Sequence, residues 1–377
     1  MASICFIELQ PFPTTVGGGI THLIELSKEL IRQGHDVSVI SPPPAEDFEV
    51  PEELKKLKIY HVGMKHKKLE DYSGISRIGY YFWRVLFESS FVLGVMKIVK
   101  KNNFDVLSPQ SPITPALACS FSGKNFWITA HGVHHQGFTK LYEKKGIYFV
   151  SKIGSKFYKF LESITVKRAE KVVCLGNESY DHYSKYKSCE IIPNGIDVNR
   201  FSCKSSKRPK EIISVSRFTE QKAIDKLILS MDKLKDYNLK VIGLGPLQKE
   251  VKKLCDERKN CSFEGYKTQN EIIPYLCSAR FVILPSLFEG LPIVMLESMS
   301  SGVIPISTAV GDIPSLIKDG KNGFLLKDNS PDSISEDVRR AEKKDLEKIS
   351  KSCRKQIATD YSWKKIAGRY LKAWGVK

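Results

Sequence analysis

The sequence has nine cysteines but no CxxC pair and no cysteine–histidine grouping with metal-ligand spacing. Scattered at 5, 119, 174, 189, 203, 255, 261, 277 and 353, they read as reduced and mostly buried thiols rather than a disulfide frame or a zinc site. Also missing is any run of about 18 uncharged apolar residues, so no transmembrane helix is expected. The nearest approach, from Tyr80 to Val99, is interrupted by Arg84, Glu88 and Lys97. The chain enters its first strand candidate at Ser3-Ile4-Cys5-Phe6-Ile7 without a charged leader, which argues against a signal peptide. There is no internal repeat and no low-complexity tract. Acidic residues are the scarcer charge: Lys+Arg 59 against Asp+Glu 42 leaves +17. Such a balance calls for a polyanionic partner, either nucleic acid, an acidic membrane or phosphorylated substrates. No recognised nucleic-acid motif accompanies the charge, so nucleic acid is not the expected partner.

What is present is a chain of 377 residues, 42% hydrophobic and 10% aromatic, too long for one typical core. Short apolar runs alternate with amphipathic segments, the pattern of parallel sheets wrapped by helices. The predicted strands are 4–9, 36–41, 106–107, 126–130, 171–175 and 190–192, then 211–215, 239–242, 262–263, 281–284 and 304–307. The predicted helices include 19–33, 82–100, 223–234, 245–255, 271–277 and 292–300. The alternation starts afresh near Glu211, after the polar stretch Cys203 to Lys210, which has the composition of a linker. The expected fold class is therefore α/β, with two Rossmann-like domains facing each other across a cleft. Residues 1–205 would form the first and 206–360 the second, with 361–377 an amphipathic helix that packs back toward the first.

Three loops at predicted carboxyl ends of strands carry candidate chemistry, which is where open α/β sheets bind ligands. The first is Gly17-Gly18-Gly19, opening a helix. It is not a GxGxxG fingerprint, and Ser41-Pro42-Pro43 stands where a dinucleotide site would put its ribose-binding acid, so such a site is disfavoured. Consecutive glycines still let backbone approach a ligand closely. The second is Val215-Ser216-Arg217-Phe218-Thr219-Glu220-Gln221-Lys222, whose planar guanidinium and point-charge ammonium suit a diphosphate. In the third, Pro285 to Met299, Glu289 would lie on the loop after a buried strand and Glu297 about a turn and a half into the following helix, with Pro292 at its first position. Free N–H groups at a helix start take phosphate, and two carboxylates accept from sugar hydroxyls, a combination that fits a nucleotide-sugar. Ile192-Pro193-Asn194-Gly195 reads as a turn.

Together these motifs resemble the retaining GT-B glycosyltransferases of family 4. Glu289-x7-Glu297 is that family's EX7E signature. Ile192-Pro193-Asn194-Gly195-Ile196-Asp197, Arg217 with Lys222, Gly243-Leu244-Gly245-Pro246 and Gly302 to Gly323-Phe324 follow in the family's order. The resemblance implies that Arg217 and Lys222 bind the donor diphosphate, Glu297 the ribose hydroxyls and Glu289 the transferred sugar. Backbone at Gly290 and Leu291 would assist, Tyr266 and Lys267 would lie along the base, and Gly18 and Gly19 would approach the phosphates and acceptor. His131, in Thr129-Ala130-His131-Gly132, would line the sugar. His134 and His135 acquire no role and have no carboxylate to make a metal site. The implied reaction is front-face transfer with retained configuration, from a UDP- or GDP-sugar to a glycan, lipid or lipid-linked oligosaccharide. No cofactor is implied. No metal is implied either, and no DxD motif stands at a loop. The alternatives are a nucleotide-sugar epimerase on the same fold, or an inactive basic binding protein.

The basic residues are clustered. Lys140, Lys144, Lys145, Lys152, Lys156 and Lys159 interleave with aromatics between 140 and 160, and Lys65, Lys67, Lys68, Arg77 and Arg84 flank Tyr80 to Trp83. Lysine beside aromatic residues suggests docking on anionic lipid. The expected location is cytoplasmic, peripheral at the inner face of a membrane.

Overall fold

The computed structural model describes residues 1–15, 17–44, 51–65, 76–133, 148–203 and 208–376, and side chains throughout except over 76–82 and 148–154. His134 and His135 lie outside the described residues, as do Lys67, Lys68, Lys140, Lys144 and Lys145. The chain divides into two compact units, 1–195 with 366–377, and 196–365.

In the first unit, strands β1 (Ser3–Ile7), β2 (Asp36–Ser41), β3 (Lys58–His61) and β4 (Val106–Pro109) run parallel in the order β3-β2-β1-β4. A second parallel sheet holds β5 (Trp127–Ala130), β6 (Lys171–Cys174) and β7 (Cys189–Ile191) in that order. The hydroxyls of Ser108 on β4 and Thr129 on β5 meet at 3.3 Å, so the sheets adjoin at those edges. Apolar, partly β-branched strands such as Cys5-Phe6-Ile7 are buried on both faces, as parallel strands under helices require. Helices Gly18–Arg32, Ser76–Lys101, Thr114–Ser122, Tyr148–Arg168 and Asn177–Tyr183 provide the cover. The end of the Trp363–Ala373 helix belongs to this unit as well: the Tyr370 hydroxyl reaches His22 Nε2 at 3.2 Å, and Trp374 packs edge-on to Phe6.

The second unit is one six-stranded parallel sheet. Strands β8 (Glu211–Val215), β9 (Asn238–Ile242), β10 (Cys261–Gly265), β11 (Phe281–Leu284), β12 (Ile304–Thr308) and β13 (Phe324–Leu326) stand in the order β10-β9-β8-β11-β12-β13. This is the doubly wound order, and it reverses between β8 and β11. A single core of fully buried Ile, Leu, Val and Phe side chains runs beneath and above the sheet.

Three expectations need correcting. Cys203 and Cys277 form a disulfide, against the reading of all nine cysteines as reduced; their separation of 74 residues gave no local cue. Pro292 caps the Ile293–Ser301 helix from outside, with an extended ψ of 125°, instead of occupying its first position. The helix expected over 223–234 stops at Ser230, because the chain passes into turns that close Met231 onto Ile228 and Leu234 onto Met231.

Candidate functional site

The switch point of the second unit's sheet opens at the carboxyl ends of β8 and β11, and the loops there are built to meet. After β8, Thr219 to Ala223 forms a single 3-10 turn, closed by Ala223 in the left-handed region at φ 48°. Gln221 anchors that turn to the loop after β11: its main-chain carbonyl accepts from Leu287 N at 2.8 Å, and its side-chain amide donates to Phe288 O at 2.7 Å. The clamp aims Lys222 at Glu289. The ammonium lies 2.6 and 2.7 Å from the two carboxylate oxygens, and Ser286 Oγ donates to the same carboxylate at 2.6 Å. Glu289 is buried, and Arg217, two residues beyond β8, is exposed.

Two glycines permit this packing. Gly311, at φ 55°, brings its backbone so close that a Cβ would fall 1.7 Å from the Glu289 carbonyl oxygen. Gly243, at φ 145°, does the same against the Ser216 carbonyl, at 1.9 Å. The Asp312 N–H donates to Gly290 O at 3.3 Å, and Thr308 Oγ1 donates to Ser286 O at 2.5 Å, so the loop from 285 to 290 is held along its length.

Glu297 stands on the fifth residue of the Ile293–Ser301 helix and is buried. Its Oε1 accepts from the Gln269 amide at 2.6 Å; the Gln269 carbonyl oxygen in turn accepts from Arg200 Nη1 at 2.7 Å, and Arg200 Nη2 donates to Asn270 at 2.6 Å. Burial raises the Glu297 carboxyl above the usual carboxylate range, while the Gln269 amide and the nearby Arg200 charge oppose that rise. The Ile293–Ser301 helix has no side-chain cap on its first turn. Tyr266 and Lys267 follow β10, with the Tyr266 ring exposed. Gly290 is exposed and Leu291 half-buried beside it.

The first unit carries its own group. Gly18 and Gly19 begin the Gly18–Arg32 helix, whose N-cap, Gly17, offers no side-chain hydrogen bond, which leaves first-turn N–H groups for a ligand. A Cβ on Gly19 would sit 3.7 Å from the His131 ring, so glycine there leaves the imidazole against bare backbone. His131 Nε2 is 3.2 Å from Gln110 Oε1, at the end of β4. Its ring meets His22 edge-to-face at 5.3 Å. His22 is buried, with Nδ1 2.8 Å from Asn194 Oδ1; burial lowers its pKa to about 4, against the raising effect of that hydrogen bond. Glu8, just past β1, is buried too, and desolvation lifts its carboxyl to about 7 against backbone bonds from Gln10 and Leu9.

Sequence reasoning placed Arg217, Lys222, Glu289, Gly19 and His131 just beyond strands and Glu297 inside the helix that follows one. It missed Gln221, Gln269, Arg200, Ser286, Gln110 and His22 as partners, and took Asn194 for a turn alone. The only readable signal was position, since Gln110, Ser286 and Gln221 all lie just beyond strands. Among the described residues, no three His, Cys, Asp or Glu side chains gather as metal ligands. No described helix is long and apolar enough to cross a membrane.

Residues 196–360 match the family described as glycosyl transferases group 1, and residues 16–200 match glycosyltransferase family 4. An uncharacterised glycosyltransferase of Methanocaldococcus jannaschii, MJ1607, is 26% identical over 94% of this chain and 93% of its own length. A galactosyltransferase of Escherichia coli, named for transfer from UDP-Gal to α-D-GlcNAc-diphosphoundecaprenol, is 26% identical over 72% of this chain and 75% of its own. A Salmonella typhimurium protein named as a putative colanic acid biosynthesis glycosyltransferase, WcaL, is 28% identical over 46% of this chain, and the chain spans about half of its length, 47%. Among solved structures, a sucrose-phosphate synthase from Thermosynechococcus elongatus superposes with a TM-score of 0.75 at 16% identity, over 100% of this chain and 98% of that one. Anabaena HepE, crystallised with UDP and glucose, gives 0.71 at 15% identity over the whole of both chains. With two adjoining family matches, a relative aligned from end to end and this doubly wound sheet order, the chain belongs to the GT-B glycosyltransferases of family 4.

Proposed function

We propose that the protein transfers a hexose from a nucleoside diphosphate sugar, a UDP-sugar before a GDP-sugar, to a glycan or lipid-linked acceptor, with retention of configuration. The observation that carries this reading is the convergence of Lys222 and Glu289 at the switch point, with Arg217 exposed on the same loop. A UDP ligand is favoured because HepE, of the same fold, is named as a complex with UDP-glucose. A lipid-linked acceptor is favoured by the diphosphoundecaprenol in the name of the Escherichia coli relative.

On this reading Arg217 and Lys222 receive the diphosphate. The ammonium then shares its charge between the phosphate and Glu289, whose carboxylate turns one oxygen to the sugar hydroxyls. Glu297, steadied by Gln269, accepts from the ribose hydroxyls, and Tyr266 and Lys267 lie along the base. Amides at Gly290 and Leu291, with the open first turn of the Ile293–Ser301 helix, add partial positive charge where the leaving group becomes negative. In the first unit Gly18 and Gly19 face phosphate and acceptor, and His131 lines the sugar. The C1–O bond to phosphate breaks, the acceptor oxygen bonds C1 on the same face, and its proton passes to the departing phosphate oxygen. No nucleophile on the protein is called for. Exclusion of water at the site would limit hydrolysis. The enzyme would work on the cytoplasmic face, peripheral to a membrane.

The test compares nucleotide release by the wild type and Lys222→Ala with a panel of nucleotide-sugars, chosen first by the thermal stabilisation that binding confers. Equal rates would remove Lys222 from the site. Release that does not respond to added acceptor would favour epimerisation.

A further inference from the structure

His22 stands on the Gly18–Arg32 helix three residues after Gly19, so the two share one face of it, and both meet His131. The His131 ring thus lies against the Gly19 backbone and the edge of His22, with Gln110 at its Nε2. His22 itself is only 1% exposed, so its service to a substrate is indirect. Asn194 Oδ1, 2.8 Å from Nδ1, can only accept, so Nδ1 carries the proton. In the neutral ring Nε2 is then an acceptor, and the buried Tyr370 hydroxyl donates to it at 3.2 Å. Thr129, two residues before His131 on β5, is a further hydrogen-bond partner of that hydroxyl. Where these partners stand in the chain matters. The chain leaves the first unit after Gly195 and returns to it at Ile366. Asn194 is therefore the last residue but one before departure, and Tyr370 lies four residues beyond the return. The two crossings are also joined to each other: Ile196 N donates to Tyr361 O at 2.8 Å, and Trp363 N donates to Ile196 O at 3.3 Å.

We propose that His22 is a positioning residue, which holds both crossings where they meet the first unit and sets the place of His131 by their position. A side chain with one donor and one acceptor on a rigid ring is what the site requires. An apolar residue would fill the volume but leave the Asn194 oxygen and the Tyr370 hydroxyl without this partner, at the cost that buried unpaired polar groups carry. The relay from Tyr370 and Asn194 through His22 to His131 lies wholly within the first unit. As a brace on His131 it stands by itself; for what His131 then does, it rests on the glycosyl-transfer reading above.

The test measures hydrolysis of UDP-glucose and UDP-galactose by the full chain, at a temperature where urea titration shows each variant folded. Tyr370→Phe deletes only a hydroxyl, from a residue that is 0% exposed and out of reach of any substrate. It should lower kcat by about fivefold and leave the donor KM within about twofold, because a displaced His131 costs chiefly the transition state. Asparagine at 22 can present an N–H near the place of Nδ1, but it offers no acceptor to Tyr370 and no ring to His131. His22→Asn should therefore lose more of kcat, about tenfold. Val99→Ala, a core truncation on the Ser76–Lys101 helix of the same unit, controls for general softening and should keep kcat. A reading without substrate comes from the ring carbon–proton NMR signals of the eight histidines, assigned by replacing each in turn. The His131 signal should move in Tyr370→Phe and stay in Val99→Ala. Unchanged kcat in both Tyr370→Phe and His22→Asn would overturn the proposal. So would an equal loss of kcat in Val99→Ala, or a His131 signal that ignores Tyr370→Phe. If the wild type hydrolyses neither donor while the His131 signal moves as expected, the glycosyl-transfer reading falls and the brace on His131 stands.

Discussion

Lys222 grips both oxygens of Glu289, and the two side chains are 18% and 6% exposed. Replacing Lys222 with Met keeps the stem and deletes the charge, which leaves a buried carboxylate with Ser286 as its hydrogen-bond donor among the described residues. Breaking a fully buried pair costs about 3–5 kcal/mol; the partial exposure of Lys222 admits water, so about 2 kcal/mol is expected here. Glu289→Gln leaves a lysine that can hydrate, and should cost about 1 kcal/mol. With both changes no buried charge remains, so the double variant should recover about 1–2 kcal/mol relative to the sum of the single losses. Urea titration followed by near-UV circular dichroism measures all four corners of the cycle. Turnover should behave differently. The diphosphate still lacks its cation, so donor hydrolysis by the double variant should stay about 10²–10³-fold below wild type, the usual loss of one electrostatic group at a transition state. Two results would refute the reasoning. Additivity within about 0.5 kcal/mol would mean that the pair is not an energetic unit. Turnover restored together with stability would mean that Lys222 serves the fold and not the phosphate.

Four other perturbations have definite outcomes. Gly311→Ala forces a left-handed alanine and puts its Cβ into the Glu289 carbonyl, so it should cost at least about 3 kcal/mol in urea titration and lose UDP binding as well; a cost below about 1 kcal/mol would contradict the close approach. His22 has a folded pKa depressed from 6.5 to about 4, so its stabilisation is complete above the unfolded value and is lost as pH falls from there toward 4. Between pH 7.5 and 5.5 it should contribute a fall of roughly 1.3 kcal/mol. Glu8, raised to about 7, acts in the opposite sense, since its contribution is present at low pH and fades as pH rises through 7. The two must be separated by the difference between wild type and His22→Gln at each pH, and a difference that does not change with pH would refute the buried neutral imidazole. Gln269→Leu deletes the amide that holds the Glu297 pKa down, so the acid limb of UDP binding, read by calorimetry, should move to higher pH; an unmoved limb would show that Gln269 is not its partner. Cys203→Ser opens a 74-residue loop, and loop entropy sets the loss near 4 kcal/mol; equal urea midpoints for this variant and the wild type would refute the bridge.

Much of the site was legible because its residues stand at strand ends, and buried parallel strands announce themselves. Phe281-Val282-Ile283-Leu284 and Glu211 to Val215 were read to their true bounds since each is a short β-branched run with polar flanks. Two edge strands escaped: Lys58–His61 is half exposed and carries charge, and Phe324–Leu326 is three residues long. The Pro331–Glu342 and Leu346–Gln356 helices were missed because their charged residues far outnumber the apolar positions that face the core. The partners of the site lay beyond reach for another reason. Arg200, Gln269 and Glu297 are strung across nearly a hundred residues, and a hydrogen-bonded relay of that span has no period and no local composition.

That contrast separates two kinds of information in this chain. A loop that carries Arg217 and Lys222 stands out by residue type, because two cations at a strand end are what the proposed diphosphate recognition would need whatever the surrounding packing. The accuracy of the site resides elsewhere, in residues whose types say nothing by themselves. Gln221 has no charge to offer a substrate, yet its side-chain bond to Phe288 O, added to the main-chain bond with Leu287, helps set where Lys222 meets Glu289. Gln221→Ala should therefore leave both charges in place and still raise the donor KM together with a fall in kcat, because a cation displaced by an ångström loses the transition state as well as the ground state. Gln221→Glu keeps the length but puts a carboxylate oxygen where the donor amide faced the Phe288 carbonyl, and should be worse than alanine. A Gln221→Ala enzyme with unchanged kcat and KM would show that the loop after β11 holds Glu289 without the side-chain bond to Phe288.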